Sequence, residues 1–302
     1  MGGSGGFFSS NIEDLRNKID KEKSIIREQK LDIEISKFLN ELLVLANDRD
    51  IDAINKHIDV IKNALDKNIE GTVDVLFAGS VAKHTYVDGL SDIDSLVILN
   101  DTNLANLTPS QVKDYFYERL TERFPGIDIK VGKLAVTIKF KDSEIQLLPA
   151  VKSGGNIKIS DSKGESWDRI NPTAFTKLLS KINQEQGKKV VPTIKLAKSI
   201  ISTFPDNRQL SGYHIESLAI EVFKNYNESN KVSEMLSHFF KVAADRVLSP
   251  INDKTGQSVH VDEYMGEERS IQRRLVSDSL SRIARKLERA SSLEQWKDIF
   301  EV

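Results

Sequence analysis

Two carboxylates stand at the head of an apolar run: Ser91-Asp92-Ile93-Asp94 leads straight into Leu96-Val97-Ile98-Leu99, and Gly79-Ser80 precedes both. Residues i and i+2 of a strand share a face, so Asp92 and Asp94 can hold divalent metal ions between them. Like charges so placed repel, and they stay ionised together only when a cation sits between them. A Gly-Ser turn lets backbone N–H groups close on a phosphate, because glycine adds no Cβ and permits positive φ. Taken singly, a Gly-Ser pair is a common turn and an Asp-x-Asp can be a helix cap or a solvated bend. Together, in this order and opening a strand, they are the equipment of metal-assisted nucleotidyl transfer.

These groups need elements to position them. Ile12, Leu15, Ile19 and then Leu31, Ile35, Phe38, Leu42 and Leu45 recur at three- and four-residue intervals, which predicts a long first helix. Ile54, Ile58, Ile61 and Leu65 predict a second. The period then shortens: 73–78, 95–100, 127–131, 133–140 and 144–148 are β-branched segments bounded by Gly, Asp and Pro, with Val131-Gly132-Lys133 joining two antiparallel strands. A helix is expected over 109–123. From about Pro172 the pattern is helical again, through 190–202, 212–225 and a last long helix with Ile271, Leu275, Leu280, Ile283 and Leu287 on one face. The expected class is α+β, a sheet lobe carrying the Gly-Ser and Asp motifs packed on a C-terminal helical lobe. Residues 1–9 read as a flexible leader or tag scar, 10–172 as the catalytic lobe and 173–302 as the helical nucleotide-binding lobe.

Composition narrows the chemistry. At 302 residues the chain has material for one large domain or two packed lobes. A formal charge of −2 and a pI near 6.3 give no global footprint for duplex nucleic acid, so a nucleic-acid activator is not indicated. There is no cysteine, which excludes disulfides, thiolate metal sites and a Cys nucleophile, and the five histidines are scattered. No apolar run approaches the ~18 residues that cross a bilayer, and Met1-Gly2-Gly3-Ser4-Gly5-Gly6 lacks the regions of a signal peptide. A cytoplasmic protein with no membrane partner is expected.

Gly79-Ser80 followed by Ser91-Asp92-Ile93-Asp94-Ser95-Leu96-Val97 resembles the signature of the polymerase-β-type nucleotidyltransferase superfamily. Glu144-Ile145-Gln146-Leu147-Leu148-Pro149-Ala150 is similar to the third-carboxylate strand of oligoadenylate synthetases and their bacterial relatives. Trp167 with Asn171-Pro172 resembles the link into their helical lobe, Ile194-Lys195-Leu196-Ala197-Lys198 their basic helix, and Leu210-Ser211-Gly212-Tyr213-His214-Ile215-Glu216 the helix start beside it. Even Ser249-Pro250 through Asp262-Glu263 is similar to their late loop. In order and extent the chain after about residue 70 looks like a bacterial cGAS/DncV-like nucleotidyltransferase of CBASS-type operons, with the first helix as the spine helix.

What that resemblance implies is a polymerase-β-like fold and a metal-dependent synthesis of a cyclic or linear di- or oligonucleotide second messenger from NTPs, in anti-phage defence, read by a downstream effector protein. By position, Asp92 and Asp94 would hold two Mg²⁺ (or Mn²⁺) ions. Gly79 and Ser80 would fix the β and γ phosphates, and Lys198 and Lys195 would neutralise the triphosphate, against a solvated helix face as the plainer role. Ser211 would bind phosphate or serve only as an N-cap, and Tyr213 would stack on a base or pack between helices. His214 reads as packing. Two departures stand out. Gln146 occupies the place of the usual third aspartate, with Glu144 two residues earlier on the same face, and Gly212 stands where relatives carry serine. The alternatives are transfer of a single NMP to a protein, RNA or small molecule, and a nucleotide-binding sensor that has lost catalysis.

Overall fold

The computed structural model describes residues 7–47, 51–66, 72–77, 79–87, 93–100, 103–132, 134–153, 156–161, 164–171, 173–252 and 261–302. Asp92, Lys133, Pro172 and the first six residues of the expected leader lie outside them.

The sheet is built from β1 (Thr72–Phe77), β2 (Ile93–Asn100), β3 (Asp128–Val131), β4 (Val136–Lys139), β5 (Glu144–Ser153), β6 (Asn156–Ser160) and β7 (Trp167–Ile170). Their order is β1-β2-β5-β4-β3, with β6 pairing the far half of β5 and then β7. β2 and β5 run parallel, and the other described pairs are antiparallel. Leu96–Leu99 are buried in succession because β2 is central and covered on both faces. On one face Val73, Val97, Leu99, Ile145, Leu147 and Val151 pack under two helices. These are α2 (Ile51–Asp66), through Ile54, Ile58, Ile61 and Leu65, and α4 (Pro109–Arg123), through Val112, Phe116 and Leu120. α4 starts where it does because Thr108 and Gln111 form a reciprocal capping box ahead of Pro109. The opposite face carries Leu96, Ile98 and Ala150, with Leu148, Ile157 and Ile159 against them.

The remaining helices are α5 (Ala174–Glu185), α6 (Val190–Ser202), α7 (Gly212–Phe223), α8 (Val232–Arg246), α9 (Ile271–Arg289) and α10 (Leu293–Phe300). They enclose a second core rich in phenylalanine: Phe175, Phe223, Phe239, Phe240 and Phe300. A buried Arg273–Asp262 pair at 2.8 Å holds the late loop, with Arg273 also donating to the carbonyls of Val247 and Gly266 at 3.0 Å.

Three sequence expectations need correction. The first helix, α1 (Phe7–Leu45), already includes Phe7–Ser9, and among its side chains described from Asp14 onward the packed ones lie in its C-terminal half. Ile35, Phe38 and Leu39 join the helical core, whereas Leu15, Ile19 and Leu45 are exposed. Periodicity announces a helix without saying how much of it finds a partner. Ile271 does not share the buried face of α9: it is the first residue of that helix and is exposed. The strand expected at 144–148 continues to Ser153 and turns back as β6 and β7, and the strand expected at 133–140 shortens to β4.

Candidate active site

β1 ends at Phe77 opposite Ser95, so the chain leaves the sheet beside the N-terminal end of β2. Gly79–Ala82 then form a single helical turn, α3. The turn closes on itself. The N–H groups of Thr85 and Tyr86 both donate to the Ser80 carbonyl, at 2.9 and 3.1 Å, and His84 adopts φ +59° to let the chain double back. Ser80 is buried, and its Oγ has no hydrogen-bond partner among the described residues. A buried hydroxyl left open at such a turn is suited to an anion's oxygen.

Position 94 lies at the start of β2, in direct parallel register with Gln146 on β5. The register continues Leu96↔Leu148 and Ile98↔Ala150, so Gln146 heads the row that lines the face away from α2 and α4. Ile145 and Leu147 point the other way, into the sheet core. Glu144, at the first position of β5, makes a 3.8 Å ion pair with Lys139 on β4. The strand ends therefore gather Gly79-Ser80, position 94, Glu144 and Gln146 at one end of the sheet. Asp92 lies outside the described residues, and no group of three or more metal-binding side chains occurs among the described ones. The donors available at this end, carboxylate and amide oxygens, are those that suit Mg²⁺ or Mn²⁺.

Behind the turn sits a buried network that joins the sheet to α6 and α7. Glu216 is 1% exposed. Its Oε1 accepts from Lys198 Nζ at 2.9 Å and from the Thr85 hydroxyl, and Oε2 faces Lys83 Nζ at 2.5 Å in ion-pair contact, off the hydrogen-bonding direction. Burial pushes the Glu216 carboxyl up, but the two ammonium groups outweigh it and hold the pKa at about 2. Lys198 also donates to the Thr85 carbonyl at 3.0 Å. Lys83 lies 4.8 Å from the ring centroids of both Phe175 and Tyr213. Two ammonium groups on one carboxylate leave the cluster with one net positive charge, immediately behind Ser80.

The other expected site residues divide between these surroundings. Lys195 is buried on α6 and donates to Asn47 Oδ1 at the end of α1, apart from the Glu216 cluster. Tyr213 rests against Phe175 at 4.8 Å between α5 and α7. Ser211 caps α7, its Oγ accepting from His214 N at 3.2 Å, and its own N–H donates to the Tyr264 hydroxyl at 3.0 Å. His214 is fully buried with Nδ1 2.9 Å from the Tyr264 hydroxyl, and burial drives its pKa down to about 4. A Cβ at Gly212 would lie 3.3 Å from Lys198 Nζ, which explains glycine beside this lysine.

Lys83, Thr85 and Tyr264 were not anticipated as parts of the site, and no role was expected for Glu216. The available signal was Glu216 itself. It is an acid flanked by apolar residues at Ile215, Leu218, Ala219 and Ile220, and an acid buried among them needs a buried cation.

No curated protein sequence matches the chain. Solved structures do. CdnC of E. coli MS115-1, in its complex with HORMA-deltaN, matches with TM-score 0.65 at 17% identity, covering 88% of this chain and 96% of that one. CdnG, the CD-NTase of Bradyrhizobium diazoefficiens solved with GTP, gives 0.63 at 16%, covering 87% and 94%. Vibrio cholerae DncV, a cyclic AMP-GMP synthase solved with nonhydrolyzable GTP, gives 0.61 at 13%, covering 95% and 90%. These likenesses establish the fold as that of the CD-NTases. Since residues 30–183, just over half of the 302, match the family described as the Second Messenger Oligonucleotide or Dinucleotide Synthetase domain (SMODS), the chain belongs to that family of nucleotidyltransferases.

Proposed function

We propose that the chain joins NTPs through repeated attack of a ribose hydroxyl on an α-phosphate, releasing pyrophosphate and yielding a cyclic or linear di- or oligonucleotide. The observation that carries this reading is the convergence at one sheet end of the Gly79-Ser80 turn, with its open buried hydroxyl, and the in-register positions 94 and 146. Gly79 and Ser80 hold the distal phosphates. The net positive charge of the Lys83–Glu216–Lys198 cluster raises the potential behind that turn, so Lys198 acts on the triphosphate from within its ion pair. Gln146, neutral, orients the attacking group through its amide and removes no proton; Glu144 is the nearest carboxylate on its strand. Tyr213 and Ser211 border the nucleotide from α7, and Lys195 supports the α1–α6 side. Two Mg²⁺ or Mn²⁺ ions, held by Asp92 and Asp94, supply when bound the neutralisation of phosphate charge and the activation of the ribose hydroxyl.

A cytoplasmic setting and a role in anti-phage defence, with an effector reading the product, accord with this chemistry. A protein regulator is also in keeping with it, as CdnC was solved with a HORMA protein. A second reading, a nucleotide-binding sensor without catalysis, rests on Gln146 alone. The deciding experiment incubates the purified protein with labelled NTPs, and separately dNTPs, in Mg²⁺ and Mn²⁺, and identifies phosphatase-resistant products by mass spectrometry. A product lost in Asp92→Ala/Asp94→Ala establishes the synthase. Metal-dependent nucleotide binding with no product under any of these conditions leaves a missing activator or acceptor and the sensor as the two readings, which adding candidate regulators and acceptors separates.

A further inference from the structure

The C-terminal half of α9 carries Arg282, Arg285, Lys286 and Arg289 at i, i+3, i+4 and i+7, one helix face about 10 Å long. All four are exposed, and they line a groove of about 460 Å³ between α9 and α10. Some of the protein's other surface cations are paired, as in Lys30–Glu34, Lys37–Glu41 and Lys181–Glu185, and others, such as Lys188 and Lys224, have no ion-pair partner among the described residues; what sets this group apart is four cations on one helix face. Here none of the four has an ion-pair partner among the described residues. The neighbouring acid on α9, Glu288, turns to Lys241 at 3.4 Å, and Glu294 on α10 is taken by Lys297 at 3.0 Å. The C-terminal end of a helix dipole accounts for Lys286 and Arg289 in the last turn, but not for Arg282 and Arg285 before it.

We infer that this groove is a binding site for a compact anion carrying two or more linked phosphates, separate from the synthase site and sharing none of its residues. Three of the four cations are arginines, whose planar fork meets phosphate oxygens two at a time. The volume falls within the range of about 300–1,000 Å³ typical of small-ligand sites. Asp298 on the α10 wall opposes an anion on that side, so the phosphates are placed along the α9 wall, and Ile299 gives the groove an apolar floor. The inference goes beyond the synthase reading and does not depend on it.

The test titrates inorganic tripolyphosphate into the intact 302-residue chain without divalent metal. Trp167→Phe is used as the background, so that Trp296, buried on α10, is the remaining tryptophan reporter. A saturable change that weakens as salt rises is expected. In Arg282→Ser/Arg285→Ser/Arg289→Ser, whose altered side chains are exposed, affinity falls at least about tenfold with an unchanged melting temperature, and the corresponding triple lysine variant recovers part of it. An unsaturable response, an affinity unchanged in the serine variant, or binding of single-stranded oligonucleotides that strengthens steadily with strand length would each overturn the proposal.

Discussion

Lys198 and Glu216 meet at 2.9 Å inside the protein, one on α6 and one on α7, and the same carboxylate faces Lys83 from the sheet side at 2.5 Å. One acid thus ties the turn after β1 to the helical core. Glu216→Gln leaves two buried ammonium groups without their counter-charge, and loses about 3–5 kcal/mol in urea unfolding at neutral pH. Glu216→Gln/Lys83→Met is expected to be less damaged than Glu216→Gln alone, because one of the stranded charges goes with it. The folded pKa of Glu216 is depressed below its ordinary 4.5, so its contribution is complete above that pH and lost as the pH falls towards about 2.

His214 sets a second pH dependence in a milder range. Its imidazole is buried and titrates at about 4 rather than 6.5. Between those values the unfolded chain binds a proton that the folded protein refuses, so stability drops as the pH falls. Going from pH 7 to pH 5 costs about 2 kcal/mol through this group. Urea unfolding at the two pH values is expected to show that loss in the wild type and to lack it in His214→Asn. A resonance titrating near 6.5 that disappears in His214→Asn would refute the assignment.

Gly212 is fitted to Lys198. Its backbone has no need of positive φ, and the constraint is space: an added Cβ meets Nζ at 3.3 Å and Cε at 3.5 Å. Since Thr85 and Glu216 hold that ammonium, it cannot swing away without breaking the network. Gly212→Ala is expected to stay within about 1 kcal/mol of wild type, helix propensity offsetting the crowding. Gly212→Val is expected to cost about 1–3 kcal/mol. Lys198→Ala, which removes the obstructing atoms, should abolish most of the difference between the two, as a double-mutant cycle would show.

Much of this was legible because it is written locally. Ile54, Ile58, Ile61 and Leu65 declare a helix and its buried side at once, and all four are buried. Leu96–Leu99 is a continuous apolar run, as suits a central strand covered on both faces. What was not legible depends on distant partners. Lys198 and Lys195 were visible as cations on a helix, but that Glu216 and Asn47 would meet them depends on how helices cross. Lys83 lies 133 positions before Glu216, and nothing in its own neighbourhood marks it. The β6–β7 hairpin escaped notice because both strands are short and carry few apolar residues: Ile157 and Ile159 are the apolar pair of β6, and in β7 the adjacent Asp168 and Arg169 break the alternation.

Gln146 is the residue on which the activity should turn. It sits in register with position 94 across the parallel β2–β5 pair, which puts it next to the metals in the proposed function. An amide can offer a carbonyl oxygen there but neither negative charge nor a base. Gln146→Asp adds one carboxylate beside the two proposed to hold metal, and the divalent ion concentration for half-maximal product formation is expected to fall about tenfold. Gln146→Ala removes the oxygen and should raise that concentration, with nucleotide affinity at saturating metal less affected. If Gln146→Asp leaves the metal dependence unchanged, the strand register does not translate into shared coordination, and Glu144, the first residue of β5, becomes the position to vary.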